Sequence, residues 1–424
     1  MTSNSEPAAG GAGGPAPAPP ARPNLAGIRV LDLTQYLSGP ACTLLLAGLG
    51  ADVIKIEPAP GGDAARRLPI VEGVRSSYYV QQNRGKRSVC VDLSRPESHE
   101  LIAELAGRCN VLVENFSTGV LDRRGLGAHE LRGRYPHLIY ASISAYGRDG
   151  SRAHLAGYDL IGQAVGGAVA LAGEPDGAPL AAGAPIADVS AGMMAFGAIA
   201  SALLHQERTG EGQFLDISLV EPVFNMHPFQ IQGPSVTGGR ARLRRTGRHF
   251  GAIPPAGTYK GPQGWLVLQV LEAQWPRLCE AAVDIGLGDD PRFTDARGRG
   301  DHRNELVEVL EAWMQTFPDD RALLDHFEAH RIPAAPVVDP ADATDDPWFW
   351  ERGALAVVDD PIHGEVRVPG LPIRGSNVPR RPVEPPAPLL GQHNAEVLGE
   401  VLGWETERVA ALAEAGVLQS SDRG

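Results

Sequence analysis

The sequence predicts an α/β protein, with an open, mostly parallel sheet in a large domain and a smaller α+β domain after it. Three observations carry this. Short apolar strands alternate with helices over residues 25 to 145, and parallel strands need such crossovers. The chain has 424 residues, more than one core usually needs. After Leu219 the pattern changes to a basic loop, a hairpin and two amphipathic helices.

The first 24 residues are rich in Ala, Gly and Pro and cannot bury a core, so they read as a disordered tail. They lack the charged start and apolar segment of a secretory signal. Ile28 to Leu33 is a compact strand, Tyr36 to Pro40 a turn, Ala41 to Leu49 a helix closed by Gly50, and Asp52 to Glu57 the next strand. This unit is not a dinucleotide site, because the turn is Ser38-Gly39-Pro40 rather than GxGxxG and Pro40 removes an amide. No GxxxxGK[ST] occurs either, which excludes a P-loop. A polar loop with Gly61, Gly62, Asp63, Arg66 and Arg67 follows, then Asn83-Arg-Gly-Lys86-Arg87-Ser88 and the strand Val89 to Leu93.

Pro96 to Arg108 is an amphipathic helix with Leu101, Ile102 and Leu105 on one face. Val111 to Val113 and Leu138 to Ile143 are strands. Ligands of such sheets bind beyond the carboxyl ends of the strands, which is where Asn115 and Tyr146 fall. Gly157-Tyr158-Asp159 opens a helix over Leu160 to Ala172. Then Asp188 stands where a small-residue loop turns into a long apolar helix, closed by Gly210 and Gly212 before the strand with Leu215, Ile217 and Leu219.

The expected organisation is a large domain over 25–225, a linker over 226–244 and a small α+β domain over 245–345. A Pro-rich return connection over 346–390 and C-terminal helices over 391–424, packing on the large domain, complete it. The hairpin turns at Gly261 to Gly264.

A net charge of -13 argues against a nucleic-acid partner. Four scattered cysteines without a CxxC argue against a metal site and for a reducing cytoplasmic setting. No apolar run reads as long enough to span a bilayer, so no membrane partner is expected. On the residues alone, Asp188 is either a helix cap worth about 1 kcal/mol or a reactive carboxylate, and capping is the commoner role.

Several pieces in one order carry a resemblance. They are Leu25-Ala-Gly-Ile-Arg-Val-Leu-Asp-Leu, Gly50-Ala-Asp-Val-Ile-Lys-Ile-Glu, Asn83 to Ser88, Val113-Glu-Asn-Phe and Leu121-Asp-Arg, then Gly157-Tyr-Asp, Ala187-Asp188, Arg208-Thr-Gly-Glu-Gly-Gln and Leu390-Gly-Gln-His. Together they resemble the family III CoA-transferases, the L-carnitine dehydratase/bile-acid-inducible group, which also holds the α-methylacyl-CoA racemases. The resemblance implies a Rossmann-like large domain, a small domain and an interlocked homodimer. It implies acyl-CoA and a free carboxylic acid as substrates, with no tightly bound cofactor. Asp188 then matches the nucleophile and Asp159 a supporting acid, while the loop with Asn83, Lys86 and Arg87, together with Asn115 and Arg123, would hold the nucleotide end of CoA.

The expected chemistry is covalent catalysis by a carboxylate that a helix N-terminus keeps ionised. The amides of Gly251 and Ala252 are the expected oxyanion donors. Tyr158 is the informative departure. The racemases carry a histidine there as one of two bases, and a tyrosine with a pKa near 10 is a poor base, so transfer is favoured over racemisation. Leu37 stands where some transferases have a glutamine, which suits a larger or less polar acyl group. The competing readings are an α-methylacyl-CoA racemase and a CoA-binding protein without turnover.

Overall fold

The computed structural model describes residues 22–68, 70–71, 74–250, 254–378 and 381–421. A six-stranded sheet organises the large domain: β1 (Arg29–Asp32), β2 (Asp52–Pro58), β3 (Arg87–Val91), β4 (Val111–Glu114), β5 (Ile139–Ser144) and β6 (Phe214–Ser218). Its order is β3-β2-β1-β4-β5-β6, and every pairing is parallel. This is the doubly wound order, whose direction of travel reverses between β1 and β4 and leaves a crevice there. The strands are apolar on both faces, as a sheet covered by helices requires.

On one face lie α1 (Ser38–Gly48) and the long α7 (Ile186–Thr209), packed on Val30, Val53, Val113 and Ile143. The other face is covered by α3 (Pro96–Ala106), α4 (Ala128–Arg134), α15 (Asn394–Leu402) and α16 (Thr406–Glu414). Val397, Leu398, Val401 and Val409 of the last two helices are part of this core. Between these lie α2 (Ser77–Asn83), α5 (Asp159–Val165), α6 (Ala168–Leu171), α8 (Val220–Asn225) and α9 (Gln232–Val236). The helix expected over 160–172 is in fact two, because Gly167 at φ 95 breaks it.

Helix α7 has the length and apolar composition of a membrane span, which the sequence reading did not register. One stripe of it, Ala187, Ala191, Ala195, Ile199 and Ala202, is fully buried against the sheet layer, so it is a core helix of this domain. The small residues let it lie close to α1. A Cβ on Gly192 would come within 2.5 Å of the Ser38 carbonyl oxygen.

The small domain has its own core. A hairpin of β7 (Ala256–Lys260) and β8 (Trp265–Gln269) turns over Gly261 to Gly264, and β9 (Ala334–Pro336) adds to it. Helices α10 (Trp275–Ala281), α11 (Ala296–Asp301), α12 (Arg303–Met314) and α13 (Asp320–Ala329) pack around Trp313, Phe327 and Leu310.

The stretch 346–390 is more than the expected connection. It contains α14 (Pro347–Glu351) and a three-stranded sheet of β10 (Leu355–Asp360), β11 (Gly364–Pro369) and β12 (Val383–Glu384). Ala356, Val358 and Val368 bury against Tyr79 and Val80 of α2. Val357 and Val358 in β10 and the alternating Val366 and Val368 in β11 are the strand signal that the prolines around them obscured.

Candidate active site

The chain forms a cavity of about 260 Å³ beyond the carboxyl ends of β1, β4 and β5, at the point where the strand order reverses. The turn after β1 supplies Tyr36, Leu37 and Ser38, the end of β4 supplies Asn115, and the entry to α5 supplies Tyr158. Asp188 reaches the cavity from the first turn of α7.

Asp188 does not cap its own helix. The N-cap position is Pro185, which offers no side-chain acceptor. Asp159 does the capping from outside: its Oδ1 accepts the amide of Ala187 at 2.8 Å and that of Asp188 at 3.1 Å. Its Oδ2 accepts from Gln163 Nε2 at 2.6 Å, and Gln163 Nε2 also donates to the Ala184 carbonyl. Gly162 makes this approach feasible, since a Cβ there would lie 2.6 Å from that of Ala187. The cap and the reactive position are thus separate carboxylates.

With Asp159 taking the amides, the Asp188 carboxylate accepts no hydrogen bond among the described residues. Burial, and then the neighbouring charge of Asp159, push its pKa up to about 6. The expected depression by the helix N-terminus is therefore corrected, because desolvation and like charge outweigh it. A carboxylate of raised pKa is the more basic nucleophile, yet at pH 7 it is still mostly ionised.

Two further tyrosines bear on this site, and Tyr36 lines the cavity with Tyr158 and Asp188. Tyr36 meets Tyr158 edge to face, with centroids 6.0 Å apart. Burial, and then the charges of Asp188 and Asp63, raise the Tyr78 phenol. Sequence reasoning missed both. In the pair Tyr78-Tyr79 nothing local says which ring is buried. It is Tyr79, bonded to Glu57 and Arg66, that fills the core.

The residues expected to hold CoA separate into two groups. Asn83 and Lys86 are buried and engaged with neighbouring side chains and backbone. Lys86 is 3% exposed and its Nζ meets Asp32 Oδ2 at 3.0 Å, Thr43 Oγ1 at 2.7 Å and Asn83 Oδ1 at 2.9 Å. Burial, opposed by Asp32, lowers its pKa to about 8. Arg87 is likewise engaged, bridging Asp52 of β2 to Glu396 and Glu400 of α15. A phosphate would have to displace these partners.

Asn115 lines the cavity, but its amide is committed to the backbone of Gln35, accepting from N and donating to O at 2.8 Å each. Arg123 is exposed on a 3-10 turn, Asp122–Arg124, with no ion pair among the described residues. Gly251 and Ala252 lie outside the described residues. No group of acidic, histidine or cysteine side chains with metal-ligand geometry occurs among the described residues.

The family model described as CoA-transferase family III matches residues 25–394. The chain belongs to CoA-transferase family III. It is 33% identical over 402 residues to the succinyl-CoA:glutarate CoA-transferase of Mus musculus, covering 94% of this chain and 91% of that one. It is 37% identical over 399 residues to the succinyl-CoA:mesaconate CoA-transferase of Haloarcula hispanica, covering 90% and 98%. A CAIB/BAIF family protein from Brucella suis superposes with a TM-score of 0.78 at 34% identity, covering 89% and 99%. The α/β fold is that of this family, and the chain is a CoA-transferase acting on a CoA thioester.

Proposed function

We propose that this CoA-transferase moves CoA from an acyl-CoA to a free carboxylic acid through covalent intermediates on Asp188. The carrying observation is the Asp188 carboxylate itself, unbonded and raised in pKa at the cavity, with its helix capped by Asp159. In the first step an Asp188 oxygen attacks the thioester carbonyl, the C–S bond breaks, and CoA leaves as the thiolate. The thiolate then attacks the Asp188 carbonyl carbon of the mixed anhydride, which releases the donor acid as a carboxylate and leaves an aspartyl–CoA thioester.

The acceptor carboxylate attacks that thioester, expels the thiolate and forms a second anhydride. Attack of the thiolate on the acceptor acyl carbon yields the new acyl-CoA and restores Asp188. One carboxylate enters and one leaves, so no proton is consumed and no ATP is needed. The amides of Gly251 and Ala252 are the proposed oxyanion donors, and Arg123 the proposed phosphate partner.

Racemisation needs a second base facing the acid. Tyr158 takes the place such a base would occupy, and His154 is exposed and does not line the cavity. The exposed apolar side chains Met193, Met194 and Leu204 of α7, Phe224 of α8, and Met226 and Phe229 just after it support a homodimer, which would cover them.

The test is trapping. The protein is incubated with a panel of acyl-CoAs, including succinyl-CoA, because relatives are named for it. Hydroxylamine or borohydride then quenches the reaction, and mass spectrometry maps the adduct. Modification at Asp188 is expected, together with loss of transfer in Asp188→Ala. An unmodified Asp188 with an active Asp188→Ala chain overturns the mechanism.

A further inference from the structure

The turn after β1 that walls the cavity is held in an unusual conformation. Tyr36 has φ 63. For a bulky residue this left-handed backbone is an outlier, and it persists only where the surroundings impose it. Each of three consecutive residues is pinned by a polar side chain from beneath. Thr34 donates its amide and hydroxyl to Asp32 Oδ1, and its carbonyl accepts from Lys55 Nζ at 2.7 Å. Gln35 is held by Asn115 through two backbone bonds. The Tyr36 amide donates to Asp63 Oδ1 at 3.0 Å.

Asp63 is fully buried, and its other oxygen pairs with the equally buried Lys55 at 2.9 Å. The transfer chemistry uses neither group. Within this turn the positive φ falls on Tyr36, whose ring meets Tyr158 and lines the Asp188 cavity.

We propose that Asp63 is a positioning residue for transfer, holding Tyr36 in its left-handed conformation through the amide bond and thereby setting its ring at the acyl site. Lys55 fixes Asp63 and Thr34 together, so the two ends of the turn share one anchor. This rests on the Asp188 transfer reading for its functional consequence, but not for its structural content.

The experiment compares Asp63→Ala in the Tyr36 chain and in a Tyr36→Gly chain, since glycine adopts positive φ without support. In the Tyr36 chain, kcat is expected to fall by about tenfold or more, with the KM for acyl-CoA changed by less than about twofold. In the Tyr36→Gly chain the same substitution is expected to lower kcat by less than about threefold, which is the coupling a double-mutant cycle reads. Equal fold-losses in both chains would assign Asp63 a merely structural role and overturn the proposal.

If Asp63→Ala alone does not fold, the pair Lys55→Met with Asp63→Ala removes both charges and carries the same comparison. A crystal structure of the variant gives a reading independent of activity. Tyr36 is expected to leave the positive-φ region, and its retention there overturns the proposal. If the parent chain transfers no CoA, the Asp188 reading fails, and the crystal structure still decides the role of Asp63.

Discussion

Neutralising Asp188 should stabilise the protein while abolishing transfer, and the gain should depend on pH in a defined sense. The folded-state pKa of about 6 lies above the ordinary value near 3.9 for an unfolded aspartate. A carboxyl raised on folding contributes stability that is fully present below the unfolded value and is lost as pH rises through the folded one. Above about pH 6 the native state therefore carries the cost of an ionised, poorly solvated Asp188. The shift of about two pH units, at about 1.36 kcal/mol each, sets that cost near 3 kcal/mol at pH 7.5 and near half that at pH 5.

Asp188→Asn removes the ionisation and recovers this energy. The assay is thermal unfolding of parent and variant at pH 7.5 and pH 5, with transfer measured in parallel. Asp188→Asn is expected to melt a few degrees higher at pH 7.5, with a gain about half as large at pH 5. A variant that melts no higher than the parent at pH 7.5, or whose gain grows toward low pH, refutes the argument that Asp188 is held against desolvation and the Asp159 charge. The expected trade of stability for activity is the ordinary signature of a reactive group held in an unfavourable setting.

Three other outcomes follow from the same geometry. The rate of transfer should fall as pH drops through about 6, and Asp159→Asn, which removes the like charge, should move that limb to lower pH in a kcat/KM profile. Lys86→Met strands the buried Asp32 carboxylate, so it should destabilise the chain by about 3–5 kcal/mol in denaturant unfolding. With the folded fraction accounted for, the KM for acyl-CoA should stay near that of the parent. Gly192→Ala forces a Cβ to 2.5 Å from the Ser38 carbonyl. It should cost about 1–3 kcal/mol of stability and lower kcat, because that contact seats the second turn of α7 against the start of α1.

Much of the sheet was legible because its strands are short apolar runs separated by helices, and that pattern admits few topologies. The small-domain hairpin was legible from its turn, Gly261 to Gly264. The β10–β11 pair was not, since the prolines flanking it argued for a connection while the register that pairs Val358 with Val366 involves two segments that each look unremarkable. The burial of Asn83 and Lys86 was not legible for a related reason. Lys and Arg in a loop are usually solvated, and only the three-dimensional approach of Asp32, on a strand 54 residues earlier, turns Lys86 inward.

Their engagement is itself informative. Asn83 holds Lys86, Lys86 holds Asp32, Asp32 holds Thr34, Asn115 holds Gln35, and Asp63 holds Tyr36. Three residues expected to contact CoA thus brace the turn that walls the acyl site. A similar separation divides Asp159 from Asp188. One sequence could not say which acid caps the long helix, because both precede helical stretches. The structure divides the work: Asp159 takes the two amides, and that leaves Asp188 without the hydrogen bonds that would have lowered its pKa and blunted it as a nucleophile. A helix that capped itself with Asp188 would start later and lead into the same strand, but its carboxylate would be engaged with its own backbone.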